Sequence, residues 1–297
     1  LAAPAAQLPV NRWIIGEVVE TLGEIDKAMA DLRFDAAANS IYHFVWDRFC
    51  DWYLELIKGQ IDDETKAVAG WVLDQILVML HPFMPFITEE LWSKITDRPH
   101  HPLITAKWPE PGAALDAEAK AEVDWLIDFI SSVRSLRTEF NVPPSARVNY
   151  IEIGAGLEAV DLASKHATVI GRMCRVYRDS QAFGWVTPGS MALPVPSKSQ
   201  QSVTDAGVVQ SGGIQFVCGD RTYALELAAH IDITAEKARL TKALEAARKE
   251  AKSLEGRLSN AAFVEKAKPE AVEKARADLA AHSAEADRLA AALARLG

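Results

Sequence analysis

Three cysteines in 297 residues, Cys50, Cys174 and Cys218, are too few and too scattered to form a disulfide scaffold. No pair of them has metal-ligand or redox spacing, so a zinc knuckle or CxxC centre is excluded and a reducing cytoplasm is expected. No apolar run reaches the ~18 residues of a membrane helix, and Leu1-Ala-Ala-Pro opens the chain without the basic and apolar regions of a signal peptide. An initiator Met is also missing, which predicts a piece of a longer protein or, as the alternative, a processed chain. Gly-rich phosphate loops are absent, because Ser211-Gly212-Gly213 lacks the Lys-Ser/Thr pair and the helix that such a loop needs. No Ser–His–Asp or Cys–His set stands out. These absences together predict a binding protein with no complete catalytic site, no metal and no cofactor of its own.

What is present begins with charge. The net charge of −9 by itself argues against nucleic acid as a partner. It is unevenly spread: residues 235–297 hold 13 Lys and Arg against 10 Asp and Glu, leaving 19 against 31 in the remainder. An acidic body and a mildly basic tail are therefore distinct units.

Periodicity divides the chain further. Trp13/Ile14, Val18, Leu22, Ile25 and Met29 follow the helical repeat and predict a helix over 11–32. A second helix over 34–58 has an expected core stripe of Phe34, Ala38, Ile41/Tyr42, Val45/Trp46, Phe49 and Trp52/Tyr53. Asp62 is the expected N-cap of a third, which must stop near His81 because Pro82 and Pro85 follow. A short helix over 87–94, a Pro-rich loop over 96–111 and a helix over 117–140 complete this part. From Val148 the pattern alternates. Strands are expected over 148–153, 214–217 and 222–227, the last two joined by a turn at Gly219-Asp220, with a helix over 157–173 and a Pro/Ser-rich loop over 188–202. The tail carries two heptad seams: Leu240, Leu244, Ala247, Ala251, Leu254 and Leu258, then Val272, Ala275, Leu279, His282, Ala286, Leu289, Leu293 and Leu296. Two arms of about 35 Å, at ~1.5 Å per residue, separated by a short reversal predict an antiparallel hairpin whose tip could be closed by Phe263 and Val264.

Candidate chemistry is sparse. His100-His101 as a metal pair, His81 as a catalyst and Glu89-Glu90 as an acid–base pair are each weighed against plainer and preferred readings as loop, helix-end and helix-start residues. On the 34–58 helix, 100° steps place Phe44 away from the core stripe, on a flank with Ala37 and Arg48, and with Ser40 and Asp47 close by. An off-core Phe beside an Arg is a platform for a flat ligand such as a base, or else a Phe covered by a neighbouring helix. Arg134 and Arg137, one turn apart, could hold phosphates or face solvent. The basic residues of the tail, Arg239, Lys242, Arg248, Lys249, Lys252, Arg257, Lys266, Lys268, Lys274 and Arg276, mix with acids, and a solvated coiled-coil face is the plain reading.

Several stretches resemble a known family. Phe34-Asp-Ala-Ala-Ala to Phe44-Val-Trp-Asp-Arg-Phe-Cys-Asp-Trp-Tyr-Leu-Glu55, Leu80-His-Pro-Phe-Met-Pro-Phe-Ile-Thr-Glu-Glu-Leu-Trp92 and Arg134-Ser-Leu-Arg-Thr-Glu-Phe-Asn-Val-Pro-Pro144 resemble the anticodon-binding bundle of the class I synthetases for valine, isoleucine and leucine. Leu258-Ser-Asn-Ala-Ala-Phe-Val-Glu-Lys-Ala267, set between two coiled-coil arms, is similar to the C-terminus of the bacterial valyl-tRNA synthetase family. The resemblance is weakest over 182–207, which looks like a local insertion.

The resemblance implies a mainly α chain: an anticodon-binding helical bundle over 1–144, a small α/β junction domain over 145–232, and an antiparallel coiled-coil arm over 233–297. It implies a complete enzyme that joins valine to tRNA(Val) with ATP and Mg²⁺ and edits mischarged products. The His-Ile-Gly-His and Lys-Met-Ser-Lys-Ser type motifs of that chemistry do not occur here. By the same resemblance Ser40, Phe44, Asp47, Arg48, Arg134 and Arg137 are anticodon-binding candidates. Arg239, Lys242, Arg248, Lys249, Lys252, Arg257, Lys274 and Arg276 are candidates for the tRNA corner. A cytoplasmic monomer without membrane contact is expected. The alternatives are an isoleucyl- or leucyl-tRNA synthetase piece, or a helical protein–protein scaffold.

Overall fold

The computed structural model describes residues 2–59, 61–95, 101–153, 162–178, 213–227, 230–260 and 269–295. They fall into two compact units, Leu1–Asp128 and Phe129–Gly297.

The first unit is helical. Helix α1 (Pro9–Ala30) opens on Pro9, at a position where the missing N–H costs nothing. It buries Trp13, Ile14, Val18, Leu22 and Ile25 of the stripe its spacing predicts, while at its end Ala28 is buried and Met29 only half-buried. Helix α2 (Phe34–His43) continues into a π-helical stretch (Phe44–Tyr53) and then α3 (Leu54–Ile57). Helix α4 (Asp63–Leu80) is capped as expected: the Asp62 side chain accepts from the Thr65 N–H at 2.7 Å. Helix α5 (Pro85–Ile95) and a 3-10 turn (Leu103–Thr105) follow. A polar network ties three of these segments together. Tyr53 donates to Asn11 Oδ1 (2.9 Å), and Asn11 Nδ2 donates to Glu64 (2.9 Å) and to Thr65 Oγ1 (3.2 Å).

The π-helical stretch resets the face of the second helix. Up to its first residue the buried positions are Ala37, Ile41 and Phe44, at ordinary helical spacing; within and beyond it they are Phe49, Tyr53 and Leu56/Ile57. The step from Phe44 to Phe49 spans five residues, the i→i+5 spacing of a π turn. A uniform 100° step cannot follow that change of phase. Of the stripe it places, Phe34, Tyr42 and Trp46 are 53%, 58% and 56% exposed.

Helix α6 (Ala117–Glu139) carries the division between the units. The second unit continues with β1 (Val148–Ile153), α7 (Leu162–Lys165), α8 (Ala167–Cys174), β2 (Val176–Tyr177), β3 (Gly213–Cys218), β4 (Arg221–Glu226), α9 (Ile233–Leu258) and α10 (Pro269–Arg295). The sheet order is β2-β1-β4-β3, with β1 parallel to β2 and antiparallel to β4. Strands β1, β3 and β4 lie where alternation places them. The β3–β4 turn is closed by Gly219 at φ +61, a conformation glycine adopts without strain. Strand β2, only two residues long, is unanticipated. The helix expected over 157–173 is two helices in its described part, α7 and α8; residues 157–161 lie outside the described residues, as do the 188–202 loop and the 182–207 stretch. The Phe129 ring anchors the sheet, with ring centroids 5.5 Å from Tyr150, 5.3 Å from Phe216 and 5.0 Å from Tyr223.

Helices α9 and α10 pack along their heptad seams. Asp232 caps α9 by accepting from the Thr234 and Ala235 N–H groups. Leu244 and Ala247 meet Ala286, with Leu289, Ala290 and Leu293 against them. The start of α9 thus meets the end of α10, and the two helices run antiparallel. Leu240, Leu244 and Ala247 are buried, whereas Ala251, Leu254 and Leu258 are only half-buried. The tip of the hairpin, with Phe263, Val264, Lys266 and Lys268, lies outside the described residues.

Candidate functional site

In the first unit, α1 and the α2–π helix enclose a polar cleft of about 360 Å³. Ser40, Phe44, Asp47 and Arg48 all line it, so the structure brings these four sequence candidates together. Helix α1 supplies Glu17, Glu20, Thr21 and Glu24 from the facing side. Glu17, 6% exposed, is held by Arg48 at 3.2 Å and by Lys120 at 2.8 Å. Lys120 also reaches Glu20 (3.1 Å), and these carboxylates outweigh burial to raise its pKa. The cleft therefore offers carboxylate acceptors fixed by cations, with Arg48 still 41% exposed along its side chain. Such a mixture suits the donor and acceptor edges of bases better than phosphate.

Phe44 does not serve as the open platform its helical angle suggests. It is 2% exposed and belongs to the core, in helical phase with the buried Ala37 and Ile41. The open aromatic face is Tyr42 with Trp46, one turn apart. Their rings are parallel within 2° at a centroid distance of 6.4 Å. His43 stands edge-on to Tyr42 at 5.5 Å, lines the polar cleft and bonds Asp47 at 2.7 Å. The face and the cleft thus adjoin through His43. Sequence reasoning misses this pair by assigning both rings to the core; exposure is the only signal that separates them from buried aromatics.

In the second unit, Arg134 donates to the Met173 carbonyl at 3.4 Å. Arg137 donates from Nη2 to the Pro143 and Ala146 carbonyls, both at 3.0 Å. The chain reverses there through Asn141 at φ +49, placing the Pro143-Pro144 loop over the end of α6. Both arginines line one cleft of about 620 Å³, together with Arg172 and Arg175 from α8. Those two lie 35 or more residues along the chain from Arg137, and no local pattern connects them. Cys174 sits beneath, its thiol pushed up to about 12 by burial despite Arg134 and Arg137 nearby.

On the hairpin, Lys242, Arg248, Lys249, Lys252, Arg257, Lys274 and Arg276 are all exposed. Arg239 differs from them. It grips Glu236 and donates from Nη2 to the Glu139 carbonyl at 3.0 Å, while Arg295 pairs with the Glu139 carboxylate at 3.0 Å. Arg239 and Arg295 fasten the root of the hairpin to the end of α6.

The remaining candidates have structural partners. His81 bonds Thr88 Oγ1 at 2.8 Å, Glu89 accepts from the Leu103 and Ile104 N–H groups, and Glu90 pairs with Lys94. His101 accepts from Trp92 through its carbonyl, and His100 lies outside the described residues. Among the described residues no three His, Cys, Asp or Glu side chains form a metal-holding group, and no helix is long and apolar enough to cross a membrane.

Residues 11–152 match the anticodon-binding domain of tRNA ligase, and residues 232–297 match the valyl tRNA synthetase tRNA binding arm. The valine–tRNA ligase of Sphingopyxis alaskensis is 49% identical over 335 residues, covering 100% of this chain and 33% of that protein. Those of Rhizorhabdus wittichii and Caulobacter vibrioides are 50% and 41% identical, covering 99% and 98% of this chain and 31% of each relative. The chain thus spans about a third of the length of the curated relatives it matches. Matching the carboxy-terminal third of these proteins along its whole length, with an anticodon-binding domain followed by a tRNA-binding arm, the chain belongs to the valine–tRNA ligase family.

Proposed function

We propose that this chain is the tRNA-recognising part of a cytoplasmic, monomeric ligase that joins valine to tRNA(Val) with ATP and Mg²⁺ and hydrolyses mischarged products. The chemistry belongs to the rest of such a ligase. The described residues gather no metal-holding group, and no reaction step is assigned to them. Three parts share the recognition: a bundle over 1–144 for the anticodon, a junction over 145–232, and an arm over 233–297 for the tRNA corner.

The observation that carries the reading is the exposed, parallel Tyr42–Trp46 pair beside the α1–α2 cleft. Single-stranded RNA is read by splaying bases onto aromatic faces and hydrogen-bonding their edges. In this reading Tyr42 and Trp46 stack anticodon bases, while Ser40, Asp47 and Arg48 meet base edges from the cleft. Arg134 and Arg137 touch the neighbouring backbone. On the arm, Lys242, Arg248, Lys249, Lys252, Arg257, Lys274 and Arg276 bind phosphates, and Arg239 acts as a clamp at the root.

Replacing Tyr42 or Trp46 by Ala tests this. One base stack is worth about 1–3 kcal/mol, so tRNA affinity should fall by about fivefold to a hundredfold at fixed salt. Wild-type affinity in both variants would remove the pair from the interface.

A further inference from the structure

We propose that the four-arginine cleft between the end of α6 and the end of α8 is a second RNA-backbone site, gripping consecutive phosphates with Arg134, Arg137, Arg172 and Arg175; it rests on the tRNA-binding reading above.

The charge is concentrated. Four guanidinium groups line a cleft of about 620 Å³, and no carboxylate is among the described residues that line it. The chain as a whole carries −9, so four cations gathered in one groove run against the bulk composition. The neighbouring groove at the root of the hairpin makes the contrast. Arg134 lines that groove too, but there it shares the lining with the carboxylates Glu139 and Glu285, and Arg239 and Arg295 are paired with Glu236 and Glu139.

Arg137 adds an independent sign. Its Nη2 is committed to the Pro143 and Ala146 carbonyls, but its Nη1 is buried without any hydrogen-bond acceptor among the described residues. An unmatched guanidinium nitrogen is costly. Burial, and beyond it repulsion from Arg175, lowers the Arg137 pKa. An anion in the cleft would relieve that field.

The backbone geometry holds the set in place. Arg175 caps α8 in the left-handed conformation (φ +53) and gives its carbonyl to the Val148 N–H of β1. Arg172 stands one turn earlier on α8, and Arg134 reaches back to the Met173 carbonyl between them. The cleft is thus bordered by a helix end, a proline loop and a strand-anchored cap. Guanidinium groups fork bidentately onto phosphate oxygens, and a row of them suits a ribose-phosphate chain. An acidic peptide is the competing ligand chemistry.

The test uses the 297-residue chain and purified tRNA, with dissociation constants measured across a salt series. The pair R172Q/R175Q is compared with K58Q/K66Q, which removes equal charge from the surface of the first unit. Removing two phosphate ligands should flatten the log–log salt slope by about 1.4–1.8 and weaken binding several-fold at low salt, while K58Q/K66Q leaves both unchanged. Melting curves of both variants confirm folding. An unchanged slope in R172Q/R175Q, or an equal loss in K58Q/K66Q, overturns the site. Displacement of RNA by polyglutamate as readily as by competitor RNA also overturns it. Failure of the unmodified chain to bind any tRNA would instead sink the broader reading, so the two failures are distinguishable.

Discussion

The cleft in the first unit and the cleft in the second are both grooves beside a helix, built from the same kinds of side chain in opposite proportions. The α1–α2 cleft sets Glu17, Glu20, Glu24 and Asp47 against Arg48, with Lys120 bridging two of the glutamates. The α6–α8 cleft gathers four arginines, with no carboxylate among its described lining residues. Bulk charge would assign the acidic region no role with RNA. On the proposed reading that inference fails. Bases are recognised through paired donors and acceptors, which carboxylates and cations supply together, whereas phosphates call for cations alone. A protein with a net charge of −9 can carry both kinds of surface.

The largest expected effect separates core from surface aromatics in the first groove. Phe44→Ala removes a ring that is 2% exposed, so stability should fall by about 3–5 kcal/mol. Trp46→Ala, more than half exposed, should leave the melting temperature nearly unchanged and act only on tRNA binding. A Phe44→Ala protein that melts like the wild type would return Phe44 to the interface and undo the assignment of faces.

A smaller effect sharpens the division between phosphate and base recognition. Neutralising Lys242, Arg248, Lys249 and Lys252 to Gln should flatten the salt dependence of tRNA binding by up to about 0.9 per phosphate no longer neutralised. The Tyr42 and Trp46 variants should weaken binding with little change of slope, since stacking releases few counterions. Parallel salt series decide this, and identical slopes for all variants would erase the distinction.

The smallest effect concerns the helix starts of the first unit. The Thr65 N–H lowers the Asp62 pKa, and the Ala119 N–H lowers that of Asp116, which Arg12 also pairs at 2.7 Å. Carboxyls with depressed folded pKa values stabilise fully above their unfolded value and lose that contribution as pH falls through the folded one. Their contribution to the melting temperature should therefore be complete from neutral pH down to about the ordinary aspartate value of 3.8 and be lost below it. The double variant D62N/D116N should start lower and decline less over that acid range.

Much of this architecture is legible from local pattern. Asp62 as a cap, the stop at His81-Pro82, the Gly219-Asp220 turn and the heptad seams each depend on residues adjacent in sequence. The features that escape it depend on something else. The π-helical stretch shifts the helical phase without a Pro or Gly to announce it, so a uniform helical step sends Tyr42 and Trp46 inward and Phe44 outward. Strand β2 is too short to alternate. Arg172 and Arg175 join Arg134 and Arg137 only through the tertiary path of α8, and Arg239 shows its role at the hairpin root only through the Glu139 carbonyl.

Whether this chain selects the valine acceptor is decided by competition among purified tRNAs. Labelled tRNA(Val) bound to the chain at fixed salt is challenged with unlabelled tRNA(Val), tRNA(Ile) and tRNA(Leu). Unlabelled tRNA(Val) should displace the label at the lowest concentration, and this advantage should shrink in the Tyr42→Ala and Trp46→Ala variants. Equal displacement by all three tRNAs, or a preference untouched by those variants, would refute recognition through the Tyr42–Trp46 face.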